Sequence, residues 1–144
     1  MKHLFFTVPI CLLWMNCPSA IAQETAKVQI SVKISGKVPS FKDQRLVIML
    51  AHDYPQQDDR GDMAVDNYVD AKFSHTMGKE TDLVITLGEK KSLNRNVLYF
   101  ITLAVFTPQS KLTHEGVWNG VDGPVYVLTN GSPSKVTLLV RPVP

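Results

Sequence analysis

An unbroken alternation of apolar and polar residues, from Val28 to Ser35, is the strongest structural constraint in this chain. The side chains of a β-strand point alternately to its two faces, so the four apolar residues of this segment share one face. No convincing amphipathic-helix pattern lies between this segment and the later apolar ones. The pattern therefore predicts a fold built from strands.

Further apolar segments follow at the spacing of short strands, at residues 46–51, 69–75, 82–87, 96–106, 111–118, 125–129 and 135–143. Breaks between the last of them carry Asn119-Gly120, Asp122-Gly123 and Asn130-Gly131, in which Asn and Gly tolerate the positive φ of tight turns. The sequence predicts one all-β domain over residues 23–144, an antiparallel β-sandwich of seven to eight strands. One short helix is expected within residues 58–69.

The segment at residues 96–106 is the longest apolar stretch outside the N-terminal region. Several of its residues are β-branched or aromatic, including Val97, Tyr99 and Ile101, and such residues favour strands. A continuous apolar run without alternation indicates burial on both sides. We therefore predict a strand covered on both faces.

The first 22 residues have the organisation of a secretory signal peptide. Lys2 supplies a positive charge, residues 4–15 form a short apolar region, and residues 20–22 give the small-x-small pattern that signal peptidase cuts. Twelve residues interrupted by Pro9 fall short of the roughly 20 that span a bilayer. We expect export of the chain and cleavage after Ala22.

Both cysteines, Cys11 and Cys17, lie within this N-terminal segment. Its removal would leave a chain without thiols, and hence without disulfide or thiolate chemistry. The bulky residues 14–16 precede Cys17 where a lipidation signal would place small ones. Lipidation at Cys17 is therefore not expected, and the domain has to be stabilised by core burial alone.

The charge of the chain is nearly balanced, with 15 Lys and Arg against 13 Asp and Glu. Nucleic-acid binding relies on a marked excess of positive charge, so this class of function gains no support.

One region is strongly acidic, because residues 53–70 contain a single cation, Arg60, and six aspartates: Asp53, Asp58, Asp59, Asp62, Asp66 and Asp70. Carboxylates of this kind can hold calcium. Their spacing does not match a calcium-binding loop that ends in a distal Glu, and a solvated loop between strands explains them better. We predict no metal site, and a calcium-dependent or adhesive module remains an alternative.

Three histidines, His52, His75 and His114, are far apart in the sequence and lack metal-ligand spacing. Neither GxSxG nor SxxK occurs, so no nucleophile motif is present. The sequence therefore predicts a protein without catalytic residues or a cofactor.

Two short motifs carry little weight. Arg60-Gly61-Asp62 spells the RGD adhesion tripeptide, which three residues match easily by chance. Asn130-Gly131-Ser132 fits a glycosylation sequon, but Pro133 disfavours it, and a hairpin turn explains the same residues.

Trp118 and Tyr126 are the candidate partner-binding residues. Tryptophan and tyrosine are enriched at protein contacts, and a domain of this size needs only some of its aromatic residues for its core. Packing within the core is the competing interpretation for both.

Several segments together resemble one known family: VKISG at 32–36, LVIMLAHD at 46–53, NVLYF at 96–100, KL at 111–112 and YVLTNGSPSKVTL at 126–138. In these features the chain is similar to the YbaY/YscW family, which includes small outer-membrane lipoproteins and the pilotin chaperones of type III secretion. The last segment is the closest match. All of these residues belong to the strand framework, so the resemblance bears on the fold more than on activity.

The resemblance implies a periplasmic β-sandwich that, in the pilotin branch, binds the C-terminal segment of a secretin subunit and aids its assembly in the outer membrane. Family members are generally lipidated, whereas Cys17 here lacks a lipidation signal, which puts transport of a secretin by lipoprotein sorting in doubt. An edge strand or a groove could bind such a peptide without catalysis. The alternative is an envelope structural or stress-related protein without peptide cargo.

Overall fold

The structure, a computed structural model, describes residues 22–54 and 62–144. These residues form eight strands: β1 (Val28–Ile34), β2 (Phe41–Asp53), β3 (Met63–His75), β4 (Thr81–Leu87), β5 (Leu98–Phe106), β6 (Leu112–Val117), β7 (Val125–Val127) and β8 (Lys135–Pro142). The prediction of an all-β chain with seven to eight strands is confirmed. Within the described residues, no helix has the length and apolar character needed to cross a membrane.

All eight strands belong to one continuous hydrogen-bonded sheet with the order β3-β2-β5-β6-β8-β1-β4, while β7 pairs with β5 beside this path. The sheet curls into a nearly closed, barrel-like shape, and β3 and β4 are its two end strands. The expected sandwich of two separate sheets is not confirmed. The pairing is also not wholly antiparallel, because β1 runs parallel to β8.

The core lies inside the curled sheet. In β1 the four apolar residues of the alternating segment are almost completely buried, as the sequence pattern predicts. Cross-strand partners share a face, and Ile30 pairs with the buried Ile85 on one side and the buried Val136 on the other. Alternation along each strand therefore places its apolar residues toward the common interior.

Strand β5 is buried on its inner face and only partly covered on its outer face, so the prediction of a strand covered on both faces for residues 96–106 holds in part. Its odd-numbered residues, Tyr99 to Val105, are buried inside. None of its even-numbered residues is fully exposed, and Phe100 is only 6% exposed although it lies on the outer face. Three strands, β2, β6 and β7, pair with β5 along its two edges, which places β5 in the interior of the sheet.

The prediction of a short helix within residues 58–69 is wrong for residues 62–69, the part of this range that the structure describes. Residues from Met63 onward extend β3, which pairs with β2 along most of its thirteen residues. Strand β2 is likewise longer than residues 46–51, and the polar residues at its start are accommodated by a bulge at Asp43, whose φ is 52°. Pairing between two long strands outweighs the weak local preferences of these polar stretches.

The Asn-Gly turns form as predicted. Asn119 and Gly120 both have positive φ, as do Asn130 and Gly131, which is the conformation of type I′ turns. The turn at Asn130 connects the end of β7 to the segment that enters β8. It also shapes a cavity on the molecular surface.

Candidate functional site

Tyr126 lies on the outer face of β7 and is half exposed. Its neighbours in the strand, Val125 and Val127, are buried, so alternation directs the Tyr126 ring away from the core. The ring contacts its cross-strand partner Phe100, edge to face, with 6.5 Å between centroids. Tyr126 therefore covers an apolar residue of β5 while about half of its own surface stays exposed.

A cavity of about 280 Å³ adjoins this tyrosine, with its wall formed by two strands and one turn: Leu98, Tyr99, Tyr126, Thr129, Asn130 and Ser132. The wall is mostly apolar, with a few polar groups from the turn. The Thr129 hydroxyl donates to the Val97 carbonyl at 2.9 Å, which fixes the turn against β5. Such a wall suits an apolar side chain of a partner, held near hydroxyl and amide groups.

The outer face beside the cavity is apolar for a sheet surface. We call the outer patch the apolar residues of β2, β5 and β7 that share this face through cross-strand pairing: Val47, Met49, Ala51, Phe100, Ala104 and Tyr126. Thr102, the partner of Met49, is a polar residue on the same face, and Ala51 and Phe100 are buried beneath their neighbours. Polar residues usually occupy the outward positions of a sheet that faces water on one side. The outer patch and the cavity together form the candidate binding site.

Trp118 has a different environment from Tyr126. It is partly buried, packs against the core, and its backbone pairs with Val121 across the Asn119-Gly120 turn. Trp118 is not among the residues that line the cavity. The structure therefore does not unite the two candidate partner-binding residues in one site, and a role for Trp118 stays a prediction.

Leu98, Phe100 and Asn130 belong to the candidate site although sequence analysis did not select them. The pattern of residues 96–106 places the first two in a strand buried on both faces, and Asn130 is predicted as part of a hairpin turn, with a disfavoured glycosylation sequon as the alternative. The alternation within residues 96–106 is the signal that could have identified Phe100, since its odd-numbered neighbours fill the core. The pairing of β5 with the short β7 has no comparable local signal.

The fold brings two of the three histidines together. The ring centroids of His75 and His114 lie 5.7 Å and 4.7 Å from that of Phe41. His75 donates from Nε2 to the Val38 carbonyl and accepts at Nδ1 from the Thr81 hydroxyl. Burial, with a smaller contribution from His75, lowers the pKa of His114.

A larger cavity, of about 470 Å³, lies beside Phe41 and His75 at this end of the molecule. Its polar side chains already stabilise the backbone, because the Ser40 and Ser74 hydroxyls accept from the amides of Met77 and Asp43. Both ring nitrogens of His75 are bonded as well. We therefore choose the Tyr126 cavity as the candidate binding site, because fewer of its lining side chains form hydrogen bonds within the protein.

His52 lies elsewhere, near Tyr54 and Tyr99. Its Nδ1 is buried without a hydrogen-bond partner among the described residues. Within residues 22–54 and 62–144, no group of three or more His, Cys, Asp or Glu side chains is placed to hold a metal ion.

The acidic region is described only in part. Asp66 accepts from the Gly88 amide at 2.8 Å, and Asp70 accepts from the Lys72 amide at 2.9 Å, so both cap backbone groups. Asp58 and Asp59, Arg60 and Gly61 of the RGD tripeptide, and the signal peptide up to residue 21 lie outside the described residues. The calcium, adhesion and processing predictions therefore stay predictions.

No protein-family model matches the chain, and no curated protein is significantly similar to it. Among solved structures, the fold is similar to that of an alternative pilotin from the type II secretion system of Vibrio cholerae. The TM-score is 0.56 at 14% sequence identity, and the match covers 84% of this chain and 99% of the other. At this identity the likeness establishes a shared pilotin-like fold.

Proposed function

We propose that this protein is a non-enzymatic periplasmic binding module that holds the C-terminal segment of a secretin subunit during assembly in the outer membrane. The observation that carries the proposal is the likeness of nearly the whole fold to a secretion-system pilotin. The outer patch and the Tyr126 cavity support it, because they offer a partner an apolar surface with a tyrosine anchor.

This proposed function requires non-covalent binding of a peptide segment and no chemical reaction. A secretin segment would place an apolar side chain in the cavity and lay its apolar face on the outer patch. Tyr126 would contribute a large contact area at a small loss of side-chain freedom, together with a hydroxyl for hydrogen bonding. Moderate affinity suits a protein that has to release its cargo.

Calorimetric titration of the purified protein with the C-terminal segment of a secretin from the same organism tests the proposal. We expect saturable binding that Tyr126→Ala weakens about tenfold, because anchoring aromatic residues at interfaces contribute about 1–2 kcal/mol or more. Leu139→Ala is the matched control, since Leu139 is equally exposed but lies on β8, away from the site. Failure to bind any secretin of that organism would reject the proposal and favour an envelope protein without peptide cargo.

The proposed location rests on the N-terminal sequence. Mass spectrometry of the protein isolated from its native envelope should find a chain that starts at Gln23, as cleavage after Ala22 requires. A chain that starts at a diacylated Cys17 would show a lipid-anchored protein instead.

A further inference from the structure

Leu128, the residue that follows β7, has a strained backbone. Its φ is 68°, in the left-handed region. Among the described residues with positive φ, glycines aside, Leu128 is the only apolar one; the others are Asp43, Ser110, Asn119 and Asn130. Short polar side chains tolerate this region, whereas leucine adopts it only at a cost in free energy. The surrounding structure therefore has to hold Leu128 in this conformation.

Hydrogen bonds around Leu128 define the turn and hold it in place. The Thr129 amide donates to the Val127 carbonyl at 2.8 Å, which closes a γ-turn of the rare, strained kind centred on Leu128. The Leu128 amide donates to the Pro133 carbonyl at 3.1 Å. The Thr129 hydroxyl donates to the Val97 carbonyl at 2.9 Å. These bonds fix the turn against β5 and oppose relaxation of its backbone.

The turn redirects the Leu128 side chain. In an uninterrupted strand the side chains of β7 would keep alternating, and Leu128 would lie on the outer face with Tyr126. Val127 pairs with Tyr99. Continued pairing would therefore set Leu128 opposite Leu98. The γ-turn interrupts this pattern, and Leu128 is partly buried and packs against the core instead.

The position that Leu128 would occupy in an extended strand adjoins the Tyr126 cavity. Leu98, Tyr126 and Thr129 all line this cavity, whereas Leu128 does not. Its wall is mostly apolar, and its volume of about 280 Å³ lies just below the range of about 300–1,000 Å³ typical of small-ligand pockets. A cavity of this size and lining suits one aliphatic side chain, such as the one that the strained turn holds on the core side.

We propose that the strained turn at Leu128 keeps the Tyr126 cavity open for an aliphatic side chain of a partner, and that relaxation of Leu128 to an extended backbone closes the cavity with the protein's own leucine. The inference rests on the proposed function, because it concerns the same site. It adds the class of side chain that the cavity accepts and a competing occupant within the chain itself.

Opposing contributions set the balance between the open and closed cavity. The closed conformer relieves the backbone strain and places Leu128 on an apolar wall, but it breaks the bond to the Pro133 carbonyl and removes packing against the core. The residue type at this position shifts the balance. A β-branched residue fits the left-handed region much worse than leucine, and glycine adopts it without strain. Leu128→Ile should therefore favour the closed cavity, and Leu128→Gly the open one.

The probe is N-acetyl-leucine methylamide, titrated into the isotope-labelled protein and followed by NMR. We expect saturable shifts at Leu98, Tyr126 and Asn130, with the weak affinity typical of so small a ligand, and none with N-acetyl-serine methylamide. Leu128→Ile should weaken binding at least about fivefold, because it lowers the population of the open cavity, while Leu128→Gly should stay within about twofold of the wild type. Leu139→Ile, the same replacement at an exposed site on β8, should leave the affinity unchanged.

Nuclear Overhauser contacts identify the conformer directly. In the wild type the Leu128 methyl groups should contact core side chains, and in Leu128→Ile the introduced methyl groups should contact Leu98 and the Tyr126 ring. The inference is overturned if Leu128→Ile keeps the wild-type contacts and affinity, or if the leucine derivative does not bind. It is also overturned if Leu128→Gly weakens binding as much as Leu128→Ile, the result expected from lost core packing alone. No secretin is used, so failure of the secretin titration with these results intact would reject the proposed function alone.

Discussion

At the scale of single residues, His114 links stability to pH. It is buried against Phe41, and burial, followed by the nearby His75, lowers its pKa in the folded chain from the usual 6.5. At a pH between the folded and unfolded pKa values of His114, the unfolded chain is protonated to a greater extent than the folded chain. The contribution of His114 to the free energy of unfolding is therefore complete above about pH 6.5. It is lost as the pH falls through the lowered pKa of the folded chain.

His114→Phe should remove this pH dependence, because the variant keeps an aromatic ring against Phe41 and loses the titrating group. In urea unfolding at pH 7 and pH 5, we expect the wild-type free energy of unfolding to fall more steeply than that of the variant. The difference is at most about 1.4 kcal/mol per pH unit, the limit for one proton. Equal slopes for both proteins would contradict the assignment.

Gly88 is a second residue whose identity the fold dictates. Its φ is +71°, and a Cβ there would lie 2.0 Å from the Ala26 carbonyl oxygen. Gly78 has a similar φ of +86° but open space around it. Gly78→Ala should cost about 1–2 kcal/mol from the left-handed backbone alone, and Gly88→Ala at least about 2 kcal/mol more from the clash.

Urea unfolding of the two glycine variants separates these contributions, because both carry the same backbone strain. A similar loss of stability in both would show that the backbone near Ala26 can move aside.

At the scale of elements, alternation and turn residues predict most strands, and partner strands decide the rest. The segment from Val28 was predictable because one face of β1 fills the core. The first half of β3 was not, since Asp66 and Asn67 have weak strand preference and become extended only through pairing with β2. The candidate site shows the same limit. Tyr126 could be selected by its residue type, whereas Phe100 joins the site only through its pairing with Tyr126 across β5 and β7.

Pairing also predicts which elements open first. Strand β1 has a partner on both sides, and its inward residues are at most 1% exposed, whereas β7 has three residues and pairs with β5 alone. Native-state hydrogen exchange should therefore be slowest in β1 and much faster in β7. Exchange in β7 as slow as in β1 would mean that β7 is an integral strand of the core sheet.

At the scale of the whole molecule, the order of the strands could not be derived from the sequence. The fold places the last strand, β8, beside the first, β1, in a parallel pair near the β4 end of the sheet path. Such contacts connect residues about a hundred positions apart, and local patterns carry no information on them. The predicted fold class was therefore right at the level of all-β structure, while the continuous, nearly closed sheet emerged only from the structure.

The central claim is that this protein acts by binding a polypeptide segment on the outer patch and in the Tyr126 cavity. An ¹⁵N chemical-shift titration of the purified protein with a secretin C-terminal segment tests it most directly. We predict saturable shifts concentrated at the amides of Leu98, Phe100, Tyr126 and Asn130. Absence of shifts, or shifts confined to strands away from β5 and β7, would contradict the account.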